Sequence, residues 1–295
     1  MIITPSIYRI QPFYKLCNNN LHLFSTIMKI NVNYEIILEF YDRIRTYEEG
    51  KSQMEKRLLS NDLIKICVPV IAVKSVDILQ QMEDITNHNV SFVEWRIDYF
   101  EHCECIDEVL LLAKKIRALL KDIGFIATFR TKEEGGVKSI SKDDYLALLM
   151  AIKQSGLPDY VDVEGYSKPD VYHAISKQHS NTKCIVSYHN FQCIPNDREV
   201  LRILKSLQQL HADVVKIACM PNTMEDVVRY KNMIEEFKRK YDGLLIAIAM
   251  GTQGMESRVK PKLYHSCLTF ASWTMTSAPG QLSYQQLREQ NLELR

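Results

Sequence analysis

From residue 64 onward the 295-residue chain alternates short apolar runs with helix-patterned stretches, and this alternation limits the possible folds more than any other feature. Strand candidates fall at 64–72, 92–98, 124–130, 160–164, 183–189, 214–220, 244–250 and 267–273. Between them, 76–87, 106–120, 142–154, 171–177, 198–210 and 224–240 carry apolar residues at helical spacing. Parallel strands cannot be joined by a tight turn, so short strands each followed by a helix read as a parallel sheet with helical crossovers. Eight such units in roughly 230 residues predict an α/β chain folded as a closed (β/α)8 (TIM) barrel. An open doubly wound sheet is the competing arrangement, but Val73-Lys74-Ser75 follows the first strand candidate where a G-x-G-x-x-G turn would be needed. Pro69 removes a ladder donor, so the first strand is expected to be shortened there.

Residues 1–60 have a different texture. Asn18-Asn19-Asn20 interrupts them, 37–45 has the pattern of a short amphipathic helix, and 51–60 is charged and helix-prone. The expected organisation is an N-terminal extension over 1–60, partly helical or poorly ordered, followed by a catalytic barrel over 61–295. Met28 is an alternative start. Lys plus Arg number 37 against 36 for Asp plus Glu, a formal charge of +1. That balance favours neither nucleic acid nor an anionic membrane, and a small acidic substrate would have to be held by a few placed arginines. No apolar run approaches the roughly 18 residues of a membrane span, and no secretory leader is expected, since the first residues lack a basic stretch followed by a long apolar core and a small-residue cleavage site. The eight cysteines are scattered, with Cys67, Cys184 and Cys219 inside strand candidates, which fits a reducing cytoplasm. His102-Cys103-Glu104-Cys105 is half of a four-ligand cluster, and no metal site is expected.

Strand side chains alternate between faces, so period 2 tells which residues point together. Glu94, Arg96 and Asp98 share one face of the second candidate. In the same way Ile126, Thr128 and Arg130 go together, then Tyr160, Asp162 and Glu164, then Ile185, Ser187 and His189, then Val214, Lys216 and Ala218. Charges near the C-terminal ends of different strands converge on the mouth of a barrel, where barrel enzymes do their chemistry. An internal salt-bridge lattice is the structural alternative, but buried ion pairs add little net stability, so a ligand explains the cluster better. Lys216 is the only amine in Val214-Val215-Lys216-Ile217-Ala218-Cys219. Unless paired, a buried ammonium loses hydration and yields a nucleophilic amine. His189 ends the preceding strand candidate and adds a proton acceptor. Lysine and histidine so placed are the equipment for imine chemistry on a carbonyl substrate. Two loops add to them. Glu134-Gly135-Gly136 follows the third strand, and Ser277-Ala278-Pro279-Gly280-Gln281 after the eighth has the features of an anion site. Arg258 is suited to grip a carboxylate through two parallel donors.

These motifs resemble type I 3-dehydroquinate dehydratase, the Schiff-base-forming class, over about residues 64–287. The resemblance rests on Glu94-Trp95-Arg96-Ile97-Asp98, Arg130-Thr131 with Glu134-Gly135-Gly136, and Asp162-Val163-Glu164. It continues through Ser187-Tyr188-His189-Asn190-Phe191, Lys216-Ile217-Ala218, Met250-Gly251 with Ser257-Arg258, and Ser277-Ala278-Pro279-Gly280-Gln281. It implies a barrel, commonly a homodimer, that removes water from 3-dehydroquinate to give 3-dehydroshikimate on the shikimate route to chorismate. It implies no metal and no organic cofactor. Carried over residue by residue, Lys216 resembles the imine-forming lysine, His189 the general acid/base and Glu134 the carboxylate that orients it. Glu94, Arg96 and Arg130 resemble the groups around the substrate hydroxyls and the imine. Arg258, Ser277 and Gln281 resemble the carboxylate-end and lid contacts. Two departures stand out: the extension is longer than the family usually carries, and Ala271 follows Thr269-Phe270 where the family usually has glycine. An aldolase-like lysine-imine barrel is the alternative enzyme. A non-catalytic metabolite-binding barrel is the alternative outside enzymes, and the presence of both Lys216 and His189 argues against it.

Overall fold

The computed structural model describes residues 57–290. The helix expected at 37–45, the alternative start at Met28 and most of the 51–60 stretch lie outside the described residues. The strands are β1 Lys65–Val70, β2 Phe92–Arg96, β3 Gly124–Thr128, β4 Tyr160–Val163, β5 Lys183–Asn190, β6 Val214–Cys219, β7 Leu244–Ala249 and β8 Leu268–Phe270. They pair in parallel in the order β7-β6-β5-β4-β3-β2-β1-β8. At the remaining seam Cys267 N donates to Leu245 O (2.8 Å) and Ala247 N to Ser266 Oγ (2.7 Å), so β7 and β8 meet and the sheet comes round into a barrel. The connecting helices are α1 Ser75–Thr86, α2 Ile106–Leu120, α3 Lys142–Ser155, α4 Pro169–Ser176, α5 Asp197–Gln208, α6 Met224–Lys238, the short α7 Glu256–Val259 and α8 Tyr284–Gln290.

The strands are apolar on both faces because both are covered. Outward residues such as Val68, Val93, Trp95, Phe125, Val161, Val186, Val215 and Ile217 are buried against the inner sides of the helices, among them Ile78, Met82, Ile116, Leu149, Ile203 and Ile234. Inward, Cys67, Phe92, Ile126, Tyr160, Ile185, Val214, Ile246 and Leu268 fill the lower barrel. Burying a side chain of this size fully contributes about 1.5–3 kcal/mol. The floor is closed by the residues just before β1: Leu59 is buried, its N–H donates to Tyr160 Oη (2.9 Å), and Lys65 Nζ donates to Leu58 O (2.7 Å). Above this apolar half, the inner face turns polar.

Pro69 does not shorten β1, which runs through it to Val70. Lys65 N and Cys67 O bond toward the β8 side, so Pro69, two residues on, faces that side as well. The ladder with β8 ends at Cys67↔Phe270, and no donor is needed where Pro69 lies. Other ends differ from expectation because polar residues leave the sheet early. β2 stops at Arg96 and Ile97–Tyr99 forms a single 3₁₀ turn, β3 stops at Thr128, and β8 is only three residues long.

Candidate active site

The polar floor of the site comes from register. Ser187 on β5 lies opposite Lys216 on β6, and Thr128 on β3 lies opposite both Arg96 on β2 and Asp162 on β4. Lys216 is 4% exposed, yet it is not the unpaired amine that its strand alone suggests. Its Nζ is 3.0 Å from Asp162 Oδ2 and 3.7 Å from Glu94 Oε1, and it stands over the Phe270 ring at 4.8 Å from the centroid. Thr128 Oγ1 donates to Glu94 Oε1 (2.9 Å). The other oxygen of Asp162 accepts from Ser187 Oγ (2.6 Å) and Arg130 NH2 (2.7 Å). Burial alone would raise the Asp162 carboxyl, but Arg130 and Lys216 outweigh it and hold it far below the carboxylate range.

Arg130 is clamped as well. NH1 reaches Ser187 Oγ (3.1 Å) and Glu164 Oε1 (3.3 Å), and lies 3.7 Å from Glu134 Oε2. Glu164 also accepts from Thr131 N and Oγ1 (both 2.8 Å) and from Lys168 Nζ (2.8 Å), which fixes the start of the loop that carries Glu134. Arg96 makes a two-point contact with Asp98 (2.8 and 2.7 Å) and lies against the Tyr99 ring. A salt-bridge lattice is therefore real on one side of the site, and it holds the reactive groups in fixed geometry.

His189 and Glu134 form a second unit. Glu134 Oε2 is 3.1 Å from His189 Nδ1 and accepts the His189 backbone N–H at 3.1 Å. Burial, with Arg130 and Lys216 nearby, lowers the His189 pKa well below the usual histidine value and keeps the ring neutral. Burial, with Glu164 nearby, pushes the Glu134 carboxyl up to about 8. The loop can bring Glu134 there because Gly135 takes φ +86°, and a Cβ at Gly135 would come within 2.2 Å of the Phe191 ring.

At the opposite wall Arg258 is 2% exposed and, among the described residues, has only carbonyl partners, Phe270 O (3.5 Å) and Pro279 O (3.3 Å). Its buried Nε has no partner among the described residues, and burial brings its pKa down to about 10. A guanidinium buried without a carboxylate is costly unless an anion completes it. Gln281 Oε1 accepts from Ser277 N (2.8 Å), and Gln281 Nε2 donates to Ser277 Oγ (3.0 Å), so the loop after β8 is folded on itself at the rim.

A cavity of about 470 Å³ is lined by Glu94, Arg96, Arg130, Glu134, His189, Lys216, Arg258, Ser277 and Gln281, which are all nine of the residues singled out from the sequence. Phe191, Phe270, Ile248 and Met250 line it too. Sequence reasoning assigned none of these four to the site, although Phe191 and Met250 stand in its motifs, because an apolar residue near a strand end has the same pattern whether it packs in the core or walls a cavity. Among the described residues, no group of three or more potential metal ligands comes together, and no helix is long and apolar enough to cross a membrane.

Residues 66–292 match the family model for type I 3-dehydroquinase. A 3-dehydroquinate dehydratase from Clostridioides difficile (strain 630) is 35% identical over 240 residues, covering 80% of this chain and 94% of that protein. One from Enterococcus faecalis is 34% identical over 229 residues, 76% of this chain and 90% of that one. Among solved structures, a type I 3-dehydroquinate dehydratase from Clostridium difficile, with covalent modified comenic acid, superposes with a TM-score of 0.74 at 35% identity, covering 77% and 91% of the two chains. The Geobacillus kaustophilus HTA426 enzyme gives 0.72 at 29% identity, covering 77% and 89%. With its motifs in order, its barrel nearly closed and its family match spanning almost all described residues, this chain belongs to the type I 3-dehydroquinase family.

Proposed function

We infer that this protein is a hydro-lyase that removes water from 3-dehydroquinate to give 3-dehydroshikimate, a step of aromatic amino acid biosynthesis, with Lys216, His189 and Glu134 as its working groups. The observation that carries the residue assignment is one cavity shared by Lys216, His189 and an Arg258 that lacks a carboxylate partner among the described residues. Arg258 holds the substrate carboxylate, with Ser277 and Gln281 closing over that end. Glu94 and Arg96 hold the hydroxyl side. Arg130 contributes by holding Asp162 and Glu164 in place.

The C2 proton beside a ketone is weakly acidic. Attack of the Lys216 amine on the C3 carbonyl, with loss of water, forms a protonated imine that accepts the electron pair when C2 is deprotonated. Glu94 and Asp162 lie beside Nζ, so the protonated imine nitrogen has its countercharge in place. His189 takes the C2 proton; the ring is neutral and Glu134 engages Nδ1, which leaves Nε2 for the substrate. The resulting enamine expels the C1 hydroxyl, protonated by the same imidazolium in a syn elimination, and water hydrolyses the product imine to free Lys216. A positioned acid/base group is worth about 10²–10⁴ in rate. The test follows conjugated-enone absorbance with purified protein, together with borohydride reduction. The expected result is turnover and a stable adduct on Lys216. Turnover without an adduct would remove the imine, and reversible binding without turnover would favour a metabolite-binding barrel.

The same reading includes a homodimer, a cytoplasmic location that suits the free cysteines, and an N-terminal extension outside the catalytic unit, whose expected boundary at residue 60 moves back because Leu58 and Leu59 belong to the barrel floor. Sedimentation and cell fractionation test the first two.

A further inference from the structure

We propose that Ser167, which does not line the cavity, is a positioning residue for Glu134 and through it for His189. The proposal rests on the reading of Glu134 and His189 as the proton-transfer unit.

Ser167 lies in the turn between β4 and α4, and its Oγ is 2.9 Å from Glu134 Oε1. Its other acceptor, Glu164 O, is farther away at 3.3 Å. Glu134 Oε2 already serves both His189 N and Nδ1. The carboxylate is thus held at one oxygen by β5 and at the other by the β4–α4 turn. Its last torsion is intrinsically broad, so two-ended contact is what defines its plane. Arg130 NH1, 3.7 Å from Oε2, is the nearest competitor. Without the Ser167 hydroxyl the carboxylate is free to turn toward Arg130, and its hold on Nδ1 slackens.

The loop backbone does not depend on Ser167. Glu134 N donates to Thr131 O (3.0 Å), Gly136 N donates to the same oxygen (2.8 Å), and Thr131 is tied to Glu164. Ser167 itself is exposed, so alanine there leaves the core untouched.

An O–H donated to a carboxylate favours its ionised form. The charged and titratable groups around Glu134 are Arg130 after β3, Asp162 from β4 and Glu164 just after it, His189 and Tyr188 from β5, and Cys219 from β6. Lys168, beside Ser167, is spent on Glu164. Removing the hydroxyl therefore makes Glu134 hold its proton to higher pH.

The experiment measures kcat and KM against pH for the full chain and for Ser167→Ala, Ser167→Thr and His189→Ala. Ser167→Ala is expected to lose about tenfold in kcat, in keeping with one hydrogen bond to a charged group. KM should be nearly unchanged, and the acidic limb of kcat/KM should move to higher pH. Ser167→Thr, which keeps the hydroxyl, should restore both. If His189→Ala is crippled while Ser167→Ala keeps the wild-type kcat and pH limb, the proposal is overturned and the proton-transfer reading stands. A loss in Ser167→Ala with no shift of the limb and no rescue by threonine overturns it too, since that is the signature of a structural role. If His189→Ala turns over at the wild-type rate, the underlying reading fails instead.

Discussion

Lys216 is buried between the carboxylates of Asp162 and Glu94, at the wall of the cavity. Lys216→Ala is expected to abolish turnover and keep the fold, because Asp162 retains Arg130 and Ser187 as partners. Substantial residual dehydration in the enone assay, with unchanged circular dichroism, would remove the imine step. Arg258→Lys keeps the charge and loses the fork, so KM should rise, whereas an analogue without the carboxylate should bind equally to both proteins. Equal penalties for the two ligands would make Arg258 a structural residue. The His189–Glu134 unit is expected to set the pH dependence. Glu134 protonated on Oε2 would donate to Nδ1 and leave Nε2 carrying a hydrogen, unable to act as base. Ionised Glu134 accepts Nδ1–H instead. Because the Glu134 carboxyl is raised to about 8, kcat/KM should climb as pH rises through that value. Glu134→Gln should erase that climb, and its persistence in the variant would assign it to another group.

Among the elements, the loops at the strand ends decide more than the strands. Gly280 takes φ +74°, and a Cβ there would come within 2.3 Å of Gly251 O. Gly251 N in turn donates to Pro279 O (3.0 Å), so the turn after β8 rests directly on the turn after β7. Gly280→Ala must push these backbones apart and carry Ser277 and Gln281 with them. A several-fold rise in KM is expected, with little change in Tm because the contact is at the rim. An unchanged KM would show that the two residues are not needed for substrate binding. Much of this was legible in the chain. The strand candidates, the faces of Glu94, Asp162, Ser187 and Lys216, and the glycine loops all follow from period 2 and turn chemistry. Strand ends were less legible, because Asp98, Arg130 and Glu164 leave the sheet to satisfy one another, and those partners are 32 to 34 residues apart.

For the whole molecule, the barrel floor gives residues just before β1 a structural task. Leu58 and Leu59 pack against the inner cluster, and Leu59 N ties to Tyr160. A chain starting at residue 57 is expected to keep kcat, since the described cavity-lining residues run from Glu94 to Gln281. A chain starting at residue 61 loses the buried Leu59, worth about 1.5–3 kcal/mol, and should melt several degrees lower with kcat unchanged. A tenfold loss of activity in a folded 57–295 protein would mean that the extension contributes to the active site or to a contact it needs.

The amino-acid sequence by itself determined the number and kind of repeating units, the inward faces of the strands and the identity of the nine polar residues at the mouth. The units and the strand faces follow from local periodicity and from the cost of burying charge, both written along the chain, whereas Glu134, Arg258, Ser277 and Gln281 were picked out by the resemblance of their motifs. Only the tertiary structure decided how the charges pair. It seats Lys216 on Asp162 and Glu94, commits Arg130 to the lattice, and leaves Arg258 without a carboxylate. It also brings Ser167 to Glu134, 33 residues away in the chain. The physical reason is that pairing depends on distances between strands and loops, set by sheet register and barrel closure, which no local pattern encodes.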